Sequence, residues 1–303
     1  MMRVLIVARY KNNGFAPFVT EQVEALEKTG VECRFYPVKK GYLKQWSALR
    51  RTIREKDPDI IHAHYGLCGA FANLQRRVPV VTTYHGSDIN DPQVRWISRM
   101  AIRFSSANVF VSHKLMDIVA PIKNGVVIPC GIKLEDYSTI EKSEARKLME
   151  LDQDGKYILF AGSFDNPVKN APLAMAAVSQ LLGVQLLELK GYTRTQVAML
   201  MQAVDALLMT SISEGSPQVI KEALACGCPI VSIDVGDVKD RLDGVAGCYL
   251  VEKDAEKIAL ALKDAMTFGK RTDGKAVIIR DGLTNDAIAL RLKKIYQSVS
   301  KRG

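Results

Sequence analysis

The sequence predicts an α/β protein built from two doubly wound, Rossmann-like domains. Short runs rich in β-branched residues alternate with helical patterns along nearly the whole chain, and this alternation is typical of parallel sheets with crossover helices. Runs such as VLIV and PIVSI are apolar throughout, as strands buried on both faces are. A polar stretch near the middle of the chain separates two such series, so we predict two domains.

The first series begins with the strand RVLIVAR and the helix FVTEQVEALEKTG. It continues with VECRFYPV, LKQWSALRRTIREK, DIIHAH, PVVTTYHG, VRWISRMAIRF, ANVFVS and VVIPCG. The polar stretch Ile132–Lys156 follows it. We therefore predict an N-terminal domain over residues 1–135 and a linker over residues 136–156.

The second series begins at KYILFAGS. It continues with APLAMAAVSQLLG, VQLLEL, TQVAMLMQAV, ALLMTS, a helix after Pro217 and PIVSID. These elements predict a second domain over residues 157–282, and LTNDAIALRLKKIYQSVS predicts a final helix within residues 283–303. Because ligands of open α/β sheets bind outside the carboxyl ends of the strands, we expect the two domains to face a central cleft.

The composition is that of an ordinary globular protein, with 48% hydrophobic and 25% charged residues among 303. No apolar run approaches the roughly 18 residues of a membrane helix. The six cysteines show no CxxC or Cys/His metal spacing, and Cys226 and Cys228 are interpreted as small packing residues. We expect free thiols and a cytoplasmic location. The net charge of +9 favours acidic partners: nucleic acid, anionic lipid or phosphorylated small molecules.

The stretch TSISEGSPQVIKEALACGCPIVSIDVGD places two acids, Glu214 and Glu222, around a Gly-Ser-Pro turn. Ser216 is expected to cap a helix whose first residue is Pro217. The N–H groups of such a first turn favour an anion, either a free phosphate or the pyrophosphate of a nucleotide-sugar. Gly215 would let the backbone come close to that ligand.

The two acids have two interpretations that the residues alone leave open. Glu222 would accept hydrogen bonds from the cis-diol of a ribose, and Glu214 would accept them from sugar hydroxyls. In the other interpretation, Glu222 is a solvated helix residue and Glu214 is a loop acid.

The segment EGSPQVIKEALACGCPIVS resembles the E-x7-E signature of retaining glycosyltransferases with the GT-B fold, specifically those of glycosyltransferase family 4. The matching residues are Glu214, Gly215, Pro217, Glu222, Ala223, Ala225, Gly227 and Pro229. DIIHAHYG, TYHGSD, VFVSHKL, VVIPCGI and FAGSFDNPVKN also resemble the family, in the expected order. The resemblance therefore covers nearly the whole chain.

This resemblance implies that the second domain binds a nucleotide-sugar donor and the first domain binds the acceptor. It implies catalytic roles for His85, near the scissile anomeric carbon, and for Glu214, at the donor sugar hydroxyls. Lys169 matches the phosphate-binding lysine of the family, and Glu222 would hold the ribose. The remaining donor-binding residues that it implies are Gly14, Gly215, Ser216, Pro217, Gln218 and Val219.

Three positions depart from the family pattern. Gly162-Ser163 stands where the family usually has Gly-Arg, so one phosphate-binding cation is missing unless another residue such as Arg194 replaces it. Cys130 stands where Asn is common, and the first glycine-rich loop is reduced to KNNGF, with Gly14 alone.

Two patterns suggest a metal at first sight. His62 and His64 lie on the same side of a strand, but no acid-rich constellation accompanies them. Asp57-Pro58-Asp59 resembles the D-x-D motif that binds metal in another glycosyltransferase fold. Pro58 and the strand that follows indicate a plain turn instead. We expect no metal requirement and no cofactor beyond the nucleotide-diphosphate sugar.

Two basic runs in the first domain bear on the acceptor. LKQWSALRRTIREK has five cations around Trp46, and VRWISRMAIRF repeats arginine at Arg95, Arg99 and Arg103. Such faces would rest on anionic lipid headgroups, or they are solvated faces whose long side chains cover apolar core. The first alternative suits a lipid-linked or lipopolysaccharide acceptor and a peripheral position on the inner face of the membrane.

The leading hypothesis is a retaining, metal-independent glycosyltransferase that uses a nucleotide-diphosphate sugar in bacterial surface glycan synthesis. The alternatives are a GT-B sugar-nucleotide epimerase and a non-catalytic nucleotide-sugar-binding protein. No pyridoxal phosphate motif supports a phosphorylase, and no GxGxxG follows the first strands to support an oxidoreductase. No recognition motif supports nucleic-acid binding.

Overall fold

A computed structural model describes residues 1–11, 13–39 and 41–300. The chain divides into two compact units. Unit 1 combines Met1–Gly131 with Leu283–Gly303, and unit 2 is Ile132–Gly282. Each unit is an α/β layer structure around its own parallel sheet, so the predicted fold class of two Rossmann-like domains is confirmed.

Unit 1 contains a sheet of six parallel strands in the order β2-β1-β3-β4-β5-β6. The strands are β1 (Met2–Arg9), β2 (Val31–Val38), β3 (Ile60–His64), β4 (Val80–Tyr84), β5 (Ala107–Phe110) and β6 (Gly125–Val127). The helices are α1 (Pro17–Lys28), α2 (Trp46–Lys56), α3 (Gly66–Asn73), α4 (Ser87–Asn90), α5 (Pro92–Phe104), α6 (His113–Val119) and, from the end of the chain, α14 (Asn285–Val299).

Unit 2 contains a sheet of five parallel strands in the order β11-β10-β9-β7-β8. The strands are β7 (Lys156–Phe160), β8 (Val184–Glu188), β9 (Ala206–Met209), β10 (Ile230–Ile233) and β11 (Cys248–Val251). The helices are α7 (Lys142–Leu148), α8 (Ala171–Val178), α9 (Arg194–Ala203), α10 (Gln218–Ala225), α11 (Val238–Leu242), α12 (Ala255–Thr267) and α13 (Gly274–Arg280). Three 3-10 helices lie at Tyr42–Gln45, Leu134–Asp136 and Pro167–Lys169.

The two sheets share one topology. In unit 1, β1 lies between β2 and β3, and in unit 2, β7 lies between β8 and β9. The chain therefore reverses its direction of winding at β1/β3 and again at β7/β9. Residues that follow the two strands of such a switch point diverge to opposite faces of the sheet and leave a crevice for a ligand. The central strands β3, β4, β9 and β10 are buried at every residue, including the histidines of β3 and the threonines of β4.

The final helix α14 is an integral part of unit 1, whereas the sequence suggested a separate element over residues 283–303. It buries Ile288, Leu292 and Tyr296 in the same apolar cluster as α1 and β1. A Cβ on Gly131 would lie 2.4 Å from the Asn285 side-chain oxygen. This close packing explains why the first unit is completed only by the end of the chain.

The predicted linker over residues 136–156 belongs to unit 2. It contains α7, which packs against α9. Arg146 of this helix is buried, and its guanidinium contacts the Ala203 carbonyl and the Asp205 carboxylate. A polar composition suggested a linker here, but the polar groups satisfy one another inside the domain.

None of the described helices combines the length and the apolar character that a membrane crossing requires.

Candidate functional site

An ion pair lies at the switch point of unit 2. Lys169 ends the 3-10 helix that follows β7, and Glu214 lies in the loop that follows β9. The Lys169 Nζ and Glu214 Oε1 atoms are 2.6 Å apart, and the two side chains are 21% and 18% exposed. A cation and an acid that the resemblance assigned to phosphate and sugar are therefore brought together where an α/β sheet binds its ligand.

Two glycines determine this local geometry. A Cβ on Gly162 would lie 2.6 Å from Lys169 Cγ, so the lysine side chain can cross the backbone only at a glycine. Gly236 has a φ of +57° and lies against the Gly215 carbonyl, 2.5 Å from where its Cβ would be. The backbones of the loops after β9 and β10 thus approach each other too closely for a side chain at position 236.

The amino end of α10 differs from the prediction at one residue. The helix begins at Gln218 with Pro217 as its N-cap, and Ser216 does not cap it. The Ser216 hydroxyl instead donates to the buried Asp237 carboxylate at 2.8 Å, and Arg241 pairs with the same carboxylate. Neither Ser216 nor Pro217 therefore caps α10 with its side chain, and the first N–H groups of a helix favour an anion.

Glu222 lies on α10 next to Tyr137, which follows the 3-10 helix Leu134–Asp136. Tyr137 is buried, and its pKa is raised by burial and further by the Glu222 charge. Arg194, the first residue of α9, pairs with Asp136 at 3.4 Å. Arg194 therefore lies on the Glu222 side of unit 2. Glu222 is half-buried and is therefore not a freely solvated helix residue.

Ser163, where the family has arginine, is embedded among acids. Its hydroxyl contacts Glu188 Oε1 at 2.9 Å and also contacts Asp165. The Phe164 N–H donates to the same Glu188 oxygen at 2.6 Å. The cation in this network is Lys190, which pairs with Asp165 at 2.6 Å. The substitution thus replaces a positive group by a hydroxyl that is already committed to a carboxylate.

The switch-point side of unit 1 carries a stack of histidines. His62 is fully buried, with Nδ1 at 2.7 Å from the Tyr296 hydroxyl and Nε2 at 2.7 Å from the Thr83 hydroxyl. Burial lowers the pKa of His62 to about 3. Burial also lowers the pKa of His64 well below its usual value, with smaller effects of His62 and His85. Both buried histidines are therefore neutral at physiological pH.

His85 follows β4 and is half-buried. Its Nε2 lies 3.0 Å from His64 Nδ1, and its Nδ1 lies 3.6 Å from Cys130 Sγ. Phe18 and Tyr65 pack against the ring, with centroids 4.7 Å away in each case. Both ring nitrogens thus have protein partners, so a sugar would reach them only by displacing one.

Asp88 holds the strand ends of unit 1 together. This buried carboxylate accepts hydrogen bonds from the backbone N–H groups of Gly66, His85 and Gly86 at 2.8 to 3.1 Å. Burial raises its pKa, and the three N–H groups oppose that rise. Asp88 therefore positions His85, and the pattern TYHGSD is the sequence signal that contains it.

A cavity of about 690 Å³ lies within unit 1 beside these residues. Gly14 lines it, next to Lys11, with which it exchanges two backbone hydrogen bonds. Tyr65 also lines it and has a φ of +72°, a strained value for a bulky residue that is often found at functional sites. The lining includes Arg9, Phe15, Tyr42, Leu67, Asp91, Val94 and Ile97.

The structure thus assembles the predicted residues into two groups. Lys169, Glu214 and the backbone from Gly215 to Val219 lie in unit 2 with Glu222, whereas Gly14 and His85 lie in unit 1. Sequence reasoning missed Asp88, Glu188 and Tyr137, which act on the predicted residues by direct contact. Among the described residues, no group of three or more His, Cys, Asp or Glu side chains could hold a metal ion.

Two family models match the chain. The model described as Glycosyltransferase Family 4 matches residues 3–136, and the model described as Glycosyl transferases group 1 matches residues 183–267. A Bacillus subtilis protein, provisionally named a teichuronic acid biosynthesis glycosyltransferase, is 29% identical over 75% of this chain and 69% of its own length. A D-inositol 3-phosphate glycosyltransferase of Mycobacterium marinum is 26% identical over 67% of this chain, but over only 54% of its own length.

Solved structures of the same fold extend over almost the entire chain. Sucrose-phosphate synthase from Thermosynechococcus elongatus has a TM-score of 0.81 at 17% identity, with 99% of both chains covered. An Anabaena protein solved in complex with UDP and glucose has a TM-score of 0.75 at 16% identity, with 98% of this chain and all of the other covered. The fold is therefore GT-B, and with the two family models it supports a GT-B glycosyltransferase.

Proposed function

We propose that this protein is a retaining glycosyltransferase. It takes a sugar from a nucleotide-diphosphate sugar and transfers it to a glycan or lipid-linked acceptor, in bacterial surface polysaccharide or lipopolysaccharide synthesis. The observation that carries the proposal is the Lys169–Glu214 pair at the switch point of unit 2, in the loop that leads into α10. The name of the Bacillus relative supports the polysaccharide role.

In the proposed donor complex, Lys169 binds the diphosphate. An ammonium group has three N–H donors, so Lys169 can hold Glu214 and a phosphate oxygen at the same time. Glu214 accepts from the donor sugar hydroxyls, and Glu222 accepts from the ribose. The backbone of residues 215–219 faces the sugar and phosphate. That a GT-B neighbour is solved with UDP and glucose supports a nucleoside diphosphate as the ligand class.

For the transfer, we propose that the acceptor hydroxyl attacks the face from which the diphosphate leaves. The diphosphate takes the hydroxyl proton. Lys169 and the N–H groups of α10 stabilise the charge that develops on the leaving group, which is the kind of contribution that a preorganised site makes. His85 contacts the transferring sugar after it exchanges one of its present partners. No metal and no cofactor enters this scheme.

The acceptor, in this proposal, occupies the cavity of about 690 Å³ in unit 1. Its lining combines aromatic and aliphatic side chains with two cations, Arg9 and Lys11, and two acids, Asp88 and Asp91. Apolar walls with a few charged groups suit an acceptor that carries both an apolar part and a polar part. All six cysteines are free thiols, which fits the proposed activity at the cytoplasmic side of the membrane.

The test is a thermal-shift screen of UDP, GDP, ADP and CMP, and of their sugars, with and without magnesium. A ligand that binds only the folded state raises the melting temperature. We expect one nucleoside diphosphate to do so without magnesium. Glu222→Ala should weaken its binding by about 1–3 kcal/mol, the value of a charged hydrogen bond. Glu222→Gln keeps a hydrogen-bond acceptor beside Tyr137 and serves as the structural control.

One observation favours the alternative of a weak or non-catalytic binding protein: Ser163 and Glu188 occupy the place of a phosphate-binding arginine. Product analysis separates the possibilities. Transfer with the anomeric configuration kept supports the retaining transferase, and interconversion of the sugar without transfer indicates an epimerase. Donor binding without either reaction indicates a binding protein. No shift with any nucleotide would contradict the donor site itself.

A further inference from the structure

Helix α5 packs closely on α3 along one side only. A Cβ on Gly66 would lie 1.9 Å from the Ser98 hydroxyl, and one on Gly69 would lie 3.1 Å from the Ala101 side chain. Ser98 and Ala101 are buried by this contact. Glycine on α3 and small residues on α5 thus bring the two helices together and determine which side of α5 points outward.

The outward side of α5 is apolar. Trp96, Met100 and Phe104 are 60%, 47% and 42% exposed. They are spaced at i, i+4 and i+8, so they form one stripe about 12 Å long on the helix. Single exposed apolar residues are common on protein surfaces, but an aligned stripe that includes tryptophan and phenylalanine indicates an interaction surface.

Arginines flank the stripe. Arg99 and Arg103 are exposed on the same helix, and the Arg76 guanidinium lies 4.1 Å from the centre of the Phe104 ring. No aspartate or glutamate occurs within α3 or α5 themselves, and the exposed acid nearest to α5 in the sequence is its N-cap, Asp91. We call Trp96, Arg99, Met100, Arg103 and Phe104 the α5 face.

Arg95 does not belong to the α5 face, although the sequence placed it in one row with Arg99 and Arg103. Its guanidinium donates to the Ile89 and Asn90 carbonyls at 2.6 and 3.0 Å. It stabilises the turn before α5, and its charge is directed away from the exposed stripe.

The other basic run, on α2, has a different character. Trp46 is packed against the apolar cluster of unit 1 and its ring meets Phe71 edge-on. Arg51 and Arg54 are exposed, but Leu49 and Ile53 of the same helix are buried. Helix α2 is therefore a solvated basic face over a core, and it offers a matched control with charge and without exposed aromatic residues.

We propose that the α5 face docks on an anionic lipid bilayer. Trp96, Met100 and Phe104 enter the boundary between headgroups and acyl chains, while Arg99 and Arg103 contact lipid phosphates. An exposed apolar stripe alone would also fit another protein, but the flanking arginines, on a helix that contains no acid, complement a negative surface. Val94 and Ile97 of the same helix line the cavity of unit 1, so docking and the proposed acceptor site share one element.

This inference deepens the proposed function, because it rests on an acceptor presented at a membrane. Vesicle binding is measured without any nucleotide, and donor binding is measured without vesicles. A failure of one therefore leaves the other standing.

The experiment uses tryptophan emission. The chain has two tryptophans, so Trp46→Phe leaves the exposed Trp96 as the single reporter. Vesicles of phosphatidylglycerol and phosphatidylcholine should shift the Trp96 emission to shorter wavelength, and lipids with brominated acyl chains should quench it. Vesicles of phosphatidylcholine alone should leave the emission unchanged. Binding should weaken as salt is raised, because the arginine–phosphate attraction is screened.

Vesicle sedimentation then compares variants. Arg99→Gln with Arg103→Gln should weaken binding about 25-fold, since each arginine near an anionic surface contributes about fivefold. Trp96→Ala should weaken it about tenfold or more. Arg51→Gln with Arg54→Gln removes the same charge from α2 and should change binding less than about threefold. All these side chains are exposed, and unchanged melting curves and nucleotide binding will show that the variants fold.

Three results would overturn the proposal. The first is an unchanged Trp96 emission with anionic vesicles. The second is an equal loss of binding in the α2 and α5 double variants, which would mean that general positive charge is responsible. The third is a concentration-dependent dimer in sedimentation velocity that Trp96→Ala abolishes, which would assign the α5 face to a second copy of this chain.

Discussion

The switch points of the two units have the same topology and opposite chemistry. In unit 2, the loops after β7 and β9 bring together two charged groups, Lys169 and Glu214. In unit 1, the ends of β3 and β4 bring together His64 and His85, of which His64 is buried and neutral, beside a largely apolar cavity. The same sheet order therefore brings a charged pair together in one unit and histidine rings together in the other.

The difference shows where the function of this fold is determined. The strands form the buried framework of both units, whereas the residues at and just beyond their carboxyl ends are the ones that a ligand of such a sheet contacts. The proposed division of labour follows from this contrast: a charged nucleotide in unit 2 and an acceptor with an apolar part in unit 1. The experiments below test each side of the contrast separately.

The largest expected effect is on unit 1. Asp88→Ala removes the acceptor of three backbone N–H groups, and each buried donor left without a partner costs about 1–3 kcal/mol. Unit 1 should therefore lose about 3 kcal/mol or more of unfolding free energy. Both tryptophans lie in unit 1, so their emission during urea unfolding measures this unit.

Asp91→Ala is the matched control, because Asp91 is an exposed N-cap that accepts from the Gln93 N–H. It should cost about 1 kcal/mol. Nucleoside diphosphate binding to unit 2 should survive both changes. Equal losses for Asp88→Ala and Asp91→Ala would show that Asp88 does not hold the strand ends together.

The next effect is on unit 2. Lys169→Met removes the cation and leaves Glu214 without this partner, so nucleoside diphosphate affinity should fall by about 1.5–3 kcal/mol. Isothermal titration calorimetry measures the change. Lys257→Met removes an equal charge from an exposed ion pair with Glu252 and should leave affinity within about threefold. A Lys169 variant that binds as well as the Lys257 variant would place the diphosphate elsewhere.

A pH dependence distinguishes the neutral histidines of unit 1 from the charged pair of unit 2. The folded pKa of His62 is about 3, below the 6.5 of an unperturbed histidine. Between these values the unfolded chain binds a proton that the folded chain excludes. The free energy of unfolding therefore keeps its full His62 contribution above pH 6.5 and decreases as the pH falls below that value. The slope is about 1.4 kcal/mol per pH unit for one such histidine.

Urea unfolding at pH 7 and pH 5, followed by tryptophan emission, tests this slope. His62→Gln keeps polar contacts to Thr83 and Tyr296 but removes the titration, so the variant should lose less stability on acidification than the parent protein. Asp88, whose folded pKa is raised, acts in the opposite direction, but it is present in both proteins and cancels in the difference. Identical slopes would mean that His62 is protonated in the folded state.

Much of the fold was predictable because strand burial leaves a local record. Each strand that the sequence marked by an apolar run is present, and α10 begins within one residue of its predicted start. The contacts that shape the site left no such record. Ser216 has every local feature of an N-cap, yet its hydroxyl donates a hydrogen bond to the carboxylate of Asp237, which lies 21 residues later in the sequence. Arg146 is one of the polar residues that made residues 136–156 look like a linker. The sequence does not show that Asp205 lies beside it in the folded domain.

The same limit applies to the site residues. The pattern around Glu214 and Glu222 predicted a loop followed by a helix, because the spacing of these residues is local. It could not predict that Lys169 and Glu214 form a pair, since 45 residues separate them and the sheet order alone brings them together. Nor could it show that His85 engages both ring nitrogens, because His64 and Cys130 come from different strand ends.

The smallest expected effect is at Ser163. Variants at this position test whether a serine in place of arginine lowers the affinity of unit 2 for a nucleoside diphosphate. Ser163→Arg restores a cation beside the diphosphate site and should raise nucleoside diphosphate affinity by about 1 kcal/mol. Glu188 opposes this gain, because its carboxylate lies 2.9 Å from the serine hydroxyl and would pair with the new guanidinium. Ser163→Arg with Glu188→Gln should therefore gain more than Ser163→Arg alone, and Ser163→Ala should gain nothing. If neither arginine variant binds more tightly, then the bound diphosphate does not contact the loop at Ser163, and Lys169 is the cation that binds it.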